Sequence, residues 1–461
     1  MTAGLPTRVA AWYVAVFLCS LVAYGALWSS APLLDGDSDQ YLEVARDLAD
    51  GHLDVVHIRS PGYPLLLTMT GAGASASRTL LYVSLFLHFA SAWLLGMVLC
   101  AAGIGSSRLI LFGLLMALPP YVEPAGYVMT ENLAQFMLAA GVAGLVVWFR
   151  DERLVWLVMG SLALGYAGIT RPVYQILAVA LAGGVMLAAW TTRGLFPSRR
   201  SLFVSAGVLM LGFLVLVGGL SLYNWSRFGY AGISPALGFH LTTKTVRYVE
   251  RLPDEYSTVR TVLLRVRDDE LTKPGGRHDG TQTIWTAREE LERVTGLDTP
   301  ALSAYLVRMN LTLISGAPIE YLEDVARSLG TYWLPASGVL ATFRSSLLRW
   351  LWGVLHLGVV AIFLAQIAGV SAVTYFATRR NHRRDAVVPP HAGTSVLGIA
   401  YLLTGAIVFY TMVLSCFLDI GEPRQRRPTD VLIVMMCFLG AHAWKTLLTR
   451  NLPPINAADR A

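Results

Sequence analysis

Charge is what this sequence has least of. Of its 461 residues only 14% are Asp, Glu, Lys or Arg, and lysine occurs only at Lys244, Lys273 and Lys445. A soluble domain carries about twice that share of charge. With 55% hydrophobic residues and a mean hydropathy of +0.54, a disordered chain, a fibrous repeat and a soluble enzyme are disfavoured together. Cysteine is scarce as well. Cys19, Cys100, Cys416 and Cys437 lie in or beside apolar segments with no CxxC, so they read as packing residues rather than as a disulfide framework or a metal site. There is no Walker motif and no GxGxxG, which disfavours nucleotide use. The basic residues are scattered between apolar blocks, which disfavours nucleic acid as a partner. No repeat of 20–50 residues is present.

What is present is uninterrupted apolar chain. A membrane span needs about 20 mostly apolar residues, and ten blocks come close: 12–29, 79–104, 108–124, 131–149, 154–170, 172–191, 202–223, 347–377, 394–418 and 429–447. The first lacks a small-x-small cleavage site and is expected to stay as an uncleaved helix. The expected fold is therefore an all-α polytopic membrane protein of about ten transmembrane helices. Basic residues in short connections set the orientation. Arg8, Arg108, Arg150 with Arg153, Arg193 with Arg199 and Arg200, Arg379 to Arg384, and Lys445 with Arg450 fall on one side. That side is expected to be cytoplasmic and to hold both termini, as in a multi-pass bacterial plasma-membrane protein.

The chain divides accordingly into a membrane domain 1–223 with a first outer loop 30–78, an outer insertion 224–346, and a C-terminal part 347–461 with an outer loop 419–430. Helical periodicity through 283–296 and 300–314 predicts that the insertion is mainly helical and packed on the membrane domain. The stretch after Arg59 is too short and too Pro-broken to span, and is expected to be interfacial or re-entrant.

The loop Gly421-Glu422-Pro423-Arg424-Gln425-Arg426-Arg427-Pro428 breaks the orientation rule, with three arginines on the outer side. Something there should compensate for that charge. Guanidinium forks bind phosphate bidentately, and a helix predicted to start at Pro428 would add a favourable dipole. The ordinary alternatives are lipid-headgroup contact or pairing with Glu422. In the first loop, Asp35, Asp37 and Asp39 fall within five residues of one another. Such carboxylates can deprotonate a hydroxyl or ligate a divalent cation; their ordinary role is a solvated loop with an Asp capping the helix that follows. Arg59, the turn Thr170-Arg171-Pro172 and Glu131 at the start of the fourth block complete the set on the outer side. Glu131 is read first as a helix cap and second as a membrane-level acid. His57 and His88 have no partner at ligand spacing and read as structural.

Acids beside arginines on one face fit a reaction on a phosphate-linked lipid. At this point the residues resemble a known pattern. Asp37-Ser38-Asp39-Gln40-Tyr41-Leu42-Glu43-Val44-Ala45-Arg46, Gly51 and Arg59-Ser60-Pro61-Gly62-Tyr63-Pro64 resemble the first outer loop of GT-C superfamily glycosyltransferases. Within that superfamily they are most similar to the bacterial branch around glycosyltransferase family 39, the protein mannosyltransferases and the aminoarabinose transferases of lipid A. Thr130-Glu131, Thr170-Arg171-Pro172 and Glu422-Pro423-Arg424-x-x-Arg427-Pro428 look like the same branch. The likeness covers 30–223 and the last two spans and leaves the insertion unmatched. Where the late motif usually reads Arg-Tyr, Gln425 replaces the Tyr.

The resemblance implies a GT-C-like bundle and an enzyme that uses a polyprenyl-phosphate sugar as donor. The acceptor would be a glycolipid, polysaccharide or protein, reached at the outer face. It implies that Asp37, with Asp39 as the fallback, takes or orients the acceptor proton. Asp35, Tyr41, Arg59, Tyr63, Glu131, Arg171, Glu422, Arg424 and Arg427 would bind substrate, the arginines gripping the lipid phosphate. No cofactor is required, and a divalent cation on Asp35, Asp37 and Asp39 is permitted. Two rivals stand beside this one, an O-antigen ligase or polymerase with a lipid-diphosphate donor and a lipid-sugar flippase. Nearly charge-free spans argue against transport.

Overall fold

A computed structural model describes residues 5–28, 32–52, 54–72, 77–191, 199–272, 280–336, 345–381 and 392–451. They are almost entirely helical, and a single bridge between Leu33 and Tyr127 is the extended pairing among them. The reason lies in the solvent: in hydrocarbon every backbone N–H and C=O must be satisfied within its own segment, and a helix does that.

Among the described residues, six helices are long and apolar enough to cross a membrane: Thr7–Leu27, Arg78–Ala101, Glu131–Asp151, Arg200–Phe228, Ser346–Gly369 and Val396–Leu418. A seventh crossing results if Ser106–Met116 and Pro119–Gly126, bent by 65° at their break, form one broken span. The chain is a multi-pass helical membrane protein, yet the expected ten crossings are not reached by length and composition. Leu154–Thr170 has 17 residues, about 26 Å at 1.5 Å per residue, short of a hydrocarbon core about 30 Å thick. Pro172–Leu187 is short in the same way. The last helix, Pro423–Asn451, opens on Arg424, Arg426, Arg427 and Asp430.

That helix corrects one expectation. It starts at Pro423 rather than Pro428, which lies inside it. Proline suits the first turn, where its missing N–H is an orphan anyway. The three arginines therefore belong to a helical N-terminus and not to a loop.

Glu131–Asp151 is the central helix, with 83% of its apolar window buried, against 28% for Thr7–Leu27 and 22% for Ser346–Gly369 at the periphery. Interhelical hydrogen bonds supplement the apolar packing. Tyr13 donates to Leu109 O (2.6 Å), Asn132 to Ser84 O (2.6 Å) and Trp148 to Ser205 Oγ (2.8 Å), each worth about 0.6 kcal/mol in such a bundle. His88 is buried between Met116 O and Gln135, a structural histidine as its sequence context suggested.

Residues 237–332 build a separate helical unit. Leu237–Thr245, Ser257–Thr272, Thr281–Thr295, Thr299–Gly316 and Pro318–Tyr332 enclose a core of their own that includes Phe239, Val249, Leu263, Ile284, Leu306 and Met309. The unit sits on one end of the bundle, where Tyr321 donates to Phe417 O and His240 meets Asp419.

Candidate active site

The first-loop acids are fixed from below by backbone. Leu33 N–H donates to Gly126 O (2.8 Å), Val128 N–H to Leu33 O (3.0 Å), and Ser38 Oγ to Val128 O (3.0 Å). These bonds set the start of the helix Ser38–Asp50 beside the entry of Glu131–Asp151. Asp37 occupies the position that precedes the first turn, yet its side chain makes no capping bond. Its two oxygens are engaged elsewhere. Oδ1 accepts from Arg59 Nη2 at 2.6 Å and Oδ2 from Arg424 Nη2 at 2.8 Å. Burial pushes the Asp37 carboxyl up, but the Arg59 and Arg424 guanidiniums, the hydrogen bond from Arg424 and the nearby His240 outweigh it and hold the group below its ordinary value.

Arg59 is itself held. Its Nε donates to Gln40 Oε1 (2.7 Å) and its guanidinium lies 5.2 Å from the Tyr41 ring centre. Tyr41 meets Tyr63 edge to face at 5.5 Å. The Pro-Gly-Tyr-Pro stretch is a short helix, Gly62–Met69, pressed on the Thr170-Arg171 turn. A Cβ at residue 62 would stand 2.6 Å from Ile169 O, so only glycine fits. Ser60 Oγ donates to Thr170 O (3.3 Å) and Tyr166 Oη to Gly62 O (2.8 Å). Two motifs more than 100 residues apart are thus one structure.

Each of the three late arginines has a carboxylate. Arg424 spans Asp37, Asp35 (3.5 Å) and Glu131 (3.8 Å). Arg427 forks onto Glu123 at 2.8 and 3.3 Å. Arg426 is 1% exposed and is occupied by Asp430 (2.7 Å), the carbonyls of Tyr332 and Leu334, and His356. These pairs are the charge compensation that the unusual arginine run required. They are also needed locally, because a helix N-terminus repels cations. Arg426 is a structural residue; Arg424 and Arg427 face a cavity.

That cavity, of about 1030 Å³, is lined by Asp35, Asp37, Arg59, Glu123, Glu131, Glu422, Arg424 and Arg427 on the bundle side. Arg171 lies behind its wall, paired with Glu131 at 3.0 Å. Glu131 is buried and its first role is this ion pairing. Tyr41 and Tyr63 are buried supports that do not line the cavity. Asp39 is exposed and likewise does not line it, because the helical turn begun at Ser38 carries it away from Asp37. The three aspartates therefore do not make a cation cage: Asp37 already holds two guanidiniums. Among the described residues no group of three or more His, Cys, Asp or Glu is placed to hold a metal.

The opposite wall was not legible in the sequence. It consists of His240, Lys244, Arg247, Gln282, Trp285, Asp324, Arg327 and Ser328 from the insertion, with Asp419 from the turn before Pro423. His240 Nδ1 meets Asp419 Oδ2 at 3.0 Å. Asp419 also accepts from Ile420 N–H (2.8 Å), Gln425 Nε2 (2.7 Å) and Thr243 Oγ1 (3.3 Å). Burial pushes the Asp419 carboxyl up, but His240 and these hydrogen bonds hold it below its ordinary value. Lys244 Nζ donates to Ser328 Oγ at 2.7 Å, and burial pushes its ammonium down to about 8. Gly421 joins the two walls. With φ +67° and Ser328 O 2.6 Å from where a Cβ would stand, it lets the arginine helix begin directly against the insertion.

No protein-family model matches the chain, and no curated protein matches it in sequence. Its fold does have solved counterparts. The oligosaccharyltransferase AglB of the archaeon Archaeoglobus fulgidus, in complex with an inhibitory peptide and a dolichol-phosphate, superposes with a TM-score of 0.50 at 10% identity, over 96% of this chain and 52% of the archaeal one. The apo form of the A. fulgidus enzyme gives 0.50 at 12% identity, over 95% and 52%. At this level of identity the likeness is one of fold: the chain shares the helical membrane-bundle architecture of the archaeal enzyme. The chain spans about half the length of the archaeal enzyme it matches. ArnT from Cupriavidus metallidurans, bound to undecaprenyl phosphate, aligns over 98% of this chain and 82% of its own at 14% identity, with a TM-score of 0.40.

Proposed function

We propose that this protein is a glycosyltransferase that moves a sugar from a polyprenyl-phosphate donor to an acceptor hydroxyl, at the outer face of a bacterial plasma membrane. The observation that supports this most is the pair of arginines closed on one carboxylate at the cavity wall. Asp37 lies between Arg59 and Arg424 as a phosphate would, so an incoming lipid phosphate meets two preorganised guanidinium forks. The dolichol-phosphate of the archaeal complex is of the same ligand class. A GT-C fold and a cavity large enough for a sugar and its phosphate agree with it.

In this mechanism Arg59 and Arg424 stabilise the phosphate as it leaves, while Arg427 and Arg171 keep Glu123 and Glu131 neutralised around it. Asp35 and Glu422 steer Arg424; Tyr41 and Tyr63 brace Arg59. Asp37 accepts a hydrogen bond from the acceptor hydroxyl and aims it at the anomeric carbon, opposite the phosphate, so configuration inverts. Asp39 takes no part.

Purified protein supplied with radiolabelled polyprenyl-phosphate mannose, glucose and arabinose, and with membrane lipid extract as acceptor, should release polyprenyl phosphate from at least one donor. Silence with all of them sinks the proposal. The outer placement has its own test. A cysteine replacing Gln425, with Cys416 removed, should react with an impermeant thiol reagent in intact cells; labelling only after permeabilisation would invert the topology.

A further inference from the structure

We infer that His240, held by Asp419, takes the proton of the acceptor hydroxyl as the sugar is transferred, an inference that rests on the transferase reading above. The cavity contains seven carboxylates, and those of the bundle wall are committed, Glu422 to the neighbouring Arg424 guanidinium. Both oxygens of Asp37 carry a guanidinium, Glu123 sits in the fork of Arg427, Glu131 lies between Arg171 and Arg424, and Asp35 faces Arg424. On the far side Asp324 is paired with Arg247 and Arg327. A carboxylate held by two arginines orients a hydroxyl well but is a weak proton acceptor, because protonation would leave both cations unpartnered.

His240 differs in each respect. A carboxylate on Nδ1 makes that nitrogen the donor and leaves the lone pair of Nε2 as the acceptor, the arrangement that fixes a neutral imidazole as a base. Asp419 is fixed in turn by Thr243, Gln425 and the Ile420 N–H, so the ring is aimed by a rigid anchor. The imidazole side chain is one-third exposed, at 33%, and lines the cavity that Asp37 lines from the other side. Its ring centre lies 6.2 Å from that of Trp285 in a T-shaped arrangement, and the indole is an aromatic surface of the kind against which a sugar stacks. The charged groups around it are Asp419, Asp37 from the first loop and Lys244 one turn along its own helix.

The step balances. A lone pair of the acceptor oxygen forms the new bond to the anomeric carbon, and the bond from that carbon to the phosphate oxygen breaks with its electron pair. The hydroxyl proton passes to Nε2, and the resulting imidazolium is stabilised by Asp419 until it returns the proton to water.

The test uses the full chain in detergent, with the donor panel and lipid extract named above. His240→Gln should lower kcat about 10²–10³-fold with unchanged donor KM, and should lose the acidic limb of the wild-type pH–kcat profile. Asp419→Asn should also lower kcat and shift that limb. His240→Gly should regain turnover in proportion to added imidazole, a response that misfolding does not give. Wild-type kcat with an intact acidic limb in His240→Gln, or no rescue of His240→Gly, overturns the inference and leaves the transferase standing. Absence of release by the wild type from every donor overturns both.

Discussion

On the bundle side of the cavity, cations and carboxylates are matched across great distances in the chain: Arg424 with Asp37, 387 residues away, and Arg427 with Glu123, 304 residues away. On the insertion side the pairing is mixed: His240 reaches Asp419 far along the chain, while other charged partners are close in sequence. Arg327 pairs with Asp324 one turn before it, and half of its side chain is in water. The first wall exists only when the whole bundle is assembled, and it is closed in on itself. Removing one member there exposes a buried charge, whereas an anion that replaces a carboxylate between two arginines exchanges like for like. The second wall keeps free capacity, in a ring nitrogen and an indole. In the proposed reaction, the difference separates the wall that would hold the phosphate from the wall that would receive the second substrate.

The largest effect expected from breaking this contrast is on Asp37. Asp37→Asn or Arg424→Ala should lower release of labelled polyprenyl phosphate by about 10³-fold, since loss of one preorganised group at a developing charge costs 10²–10³. The protein should remain folded, because both residues border the cavity. Equal turnover in both variants would dissolve the distinction between the walls.

Next comes the buried pair. Arg427 and Glu123 are 10% and 1% exposed, and removing one partner from such a pair costs about 3–5 kcal/mol. Arg427→Met and Glu123→Gln should each lower the unfolding free energy by that order in detergent, while the double substitution recovers most of it. Additive losses would mean that the two do not act as a pair. A parallel substitution at Arg327, on the exposed wall, should change stability by less than about 1 kcal/mol.

How much of this was readable in advance follows from the kind of signal each part leaves. The helical membrane class came from block length and hydropathy, and the bundle-side wall from short motifs whose residues lie within a few positions of one another. The clustering of Arg59, Glu131, Arg171 and Arg424 was anticipated because all fell at one predicted end of the spans. Glu123 was overlooked although it carried a signal, as an acid at the end of an otherwise apolar block. Asp39 stood as the fallback to Asp37 because spacing along a chain does not say which residue a helix start turns outward. His240, Trp285 and Asp419 left no signal: they lie on a helix of the insertion, on its neighbour and at the end of a span, and only packing unites them. The start of the last helix was misjudged because Pro428 read as a beginning, when Pro423 serves that role and the later proline is tolerated inside.

The smallest expected effect concerns Lys244, the only lysine among the described residues of either wall, and it follows from the fact that arginine does not titrate and lysine does. Burial pushes the Lys244 ammonium down to about 8, while Asp324, Cys416 and Asp419 act against that shift. In the unfolded chain the same group keeps its proton up to its ordinary value of about 10.4. Between those values the unfolded chain binds more protons than the folded one, so this group makes stability rise with pH, by at most about 1.4 kcal/mol per unit. Below about 8 both states are protonated and the slope vanishes. The melting temperature of the wild type should therefore rise relative to that of Lys244→Met between pH 8 and pH 10, with no relative change between pH 6 and pH 7.5. Parallel curves across the whole range would mean that Lys244 keeps a solvated ammonium, and that the insertion wall, like the arginine wall, holds its charge at every accessible pH.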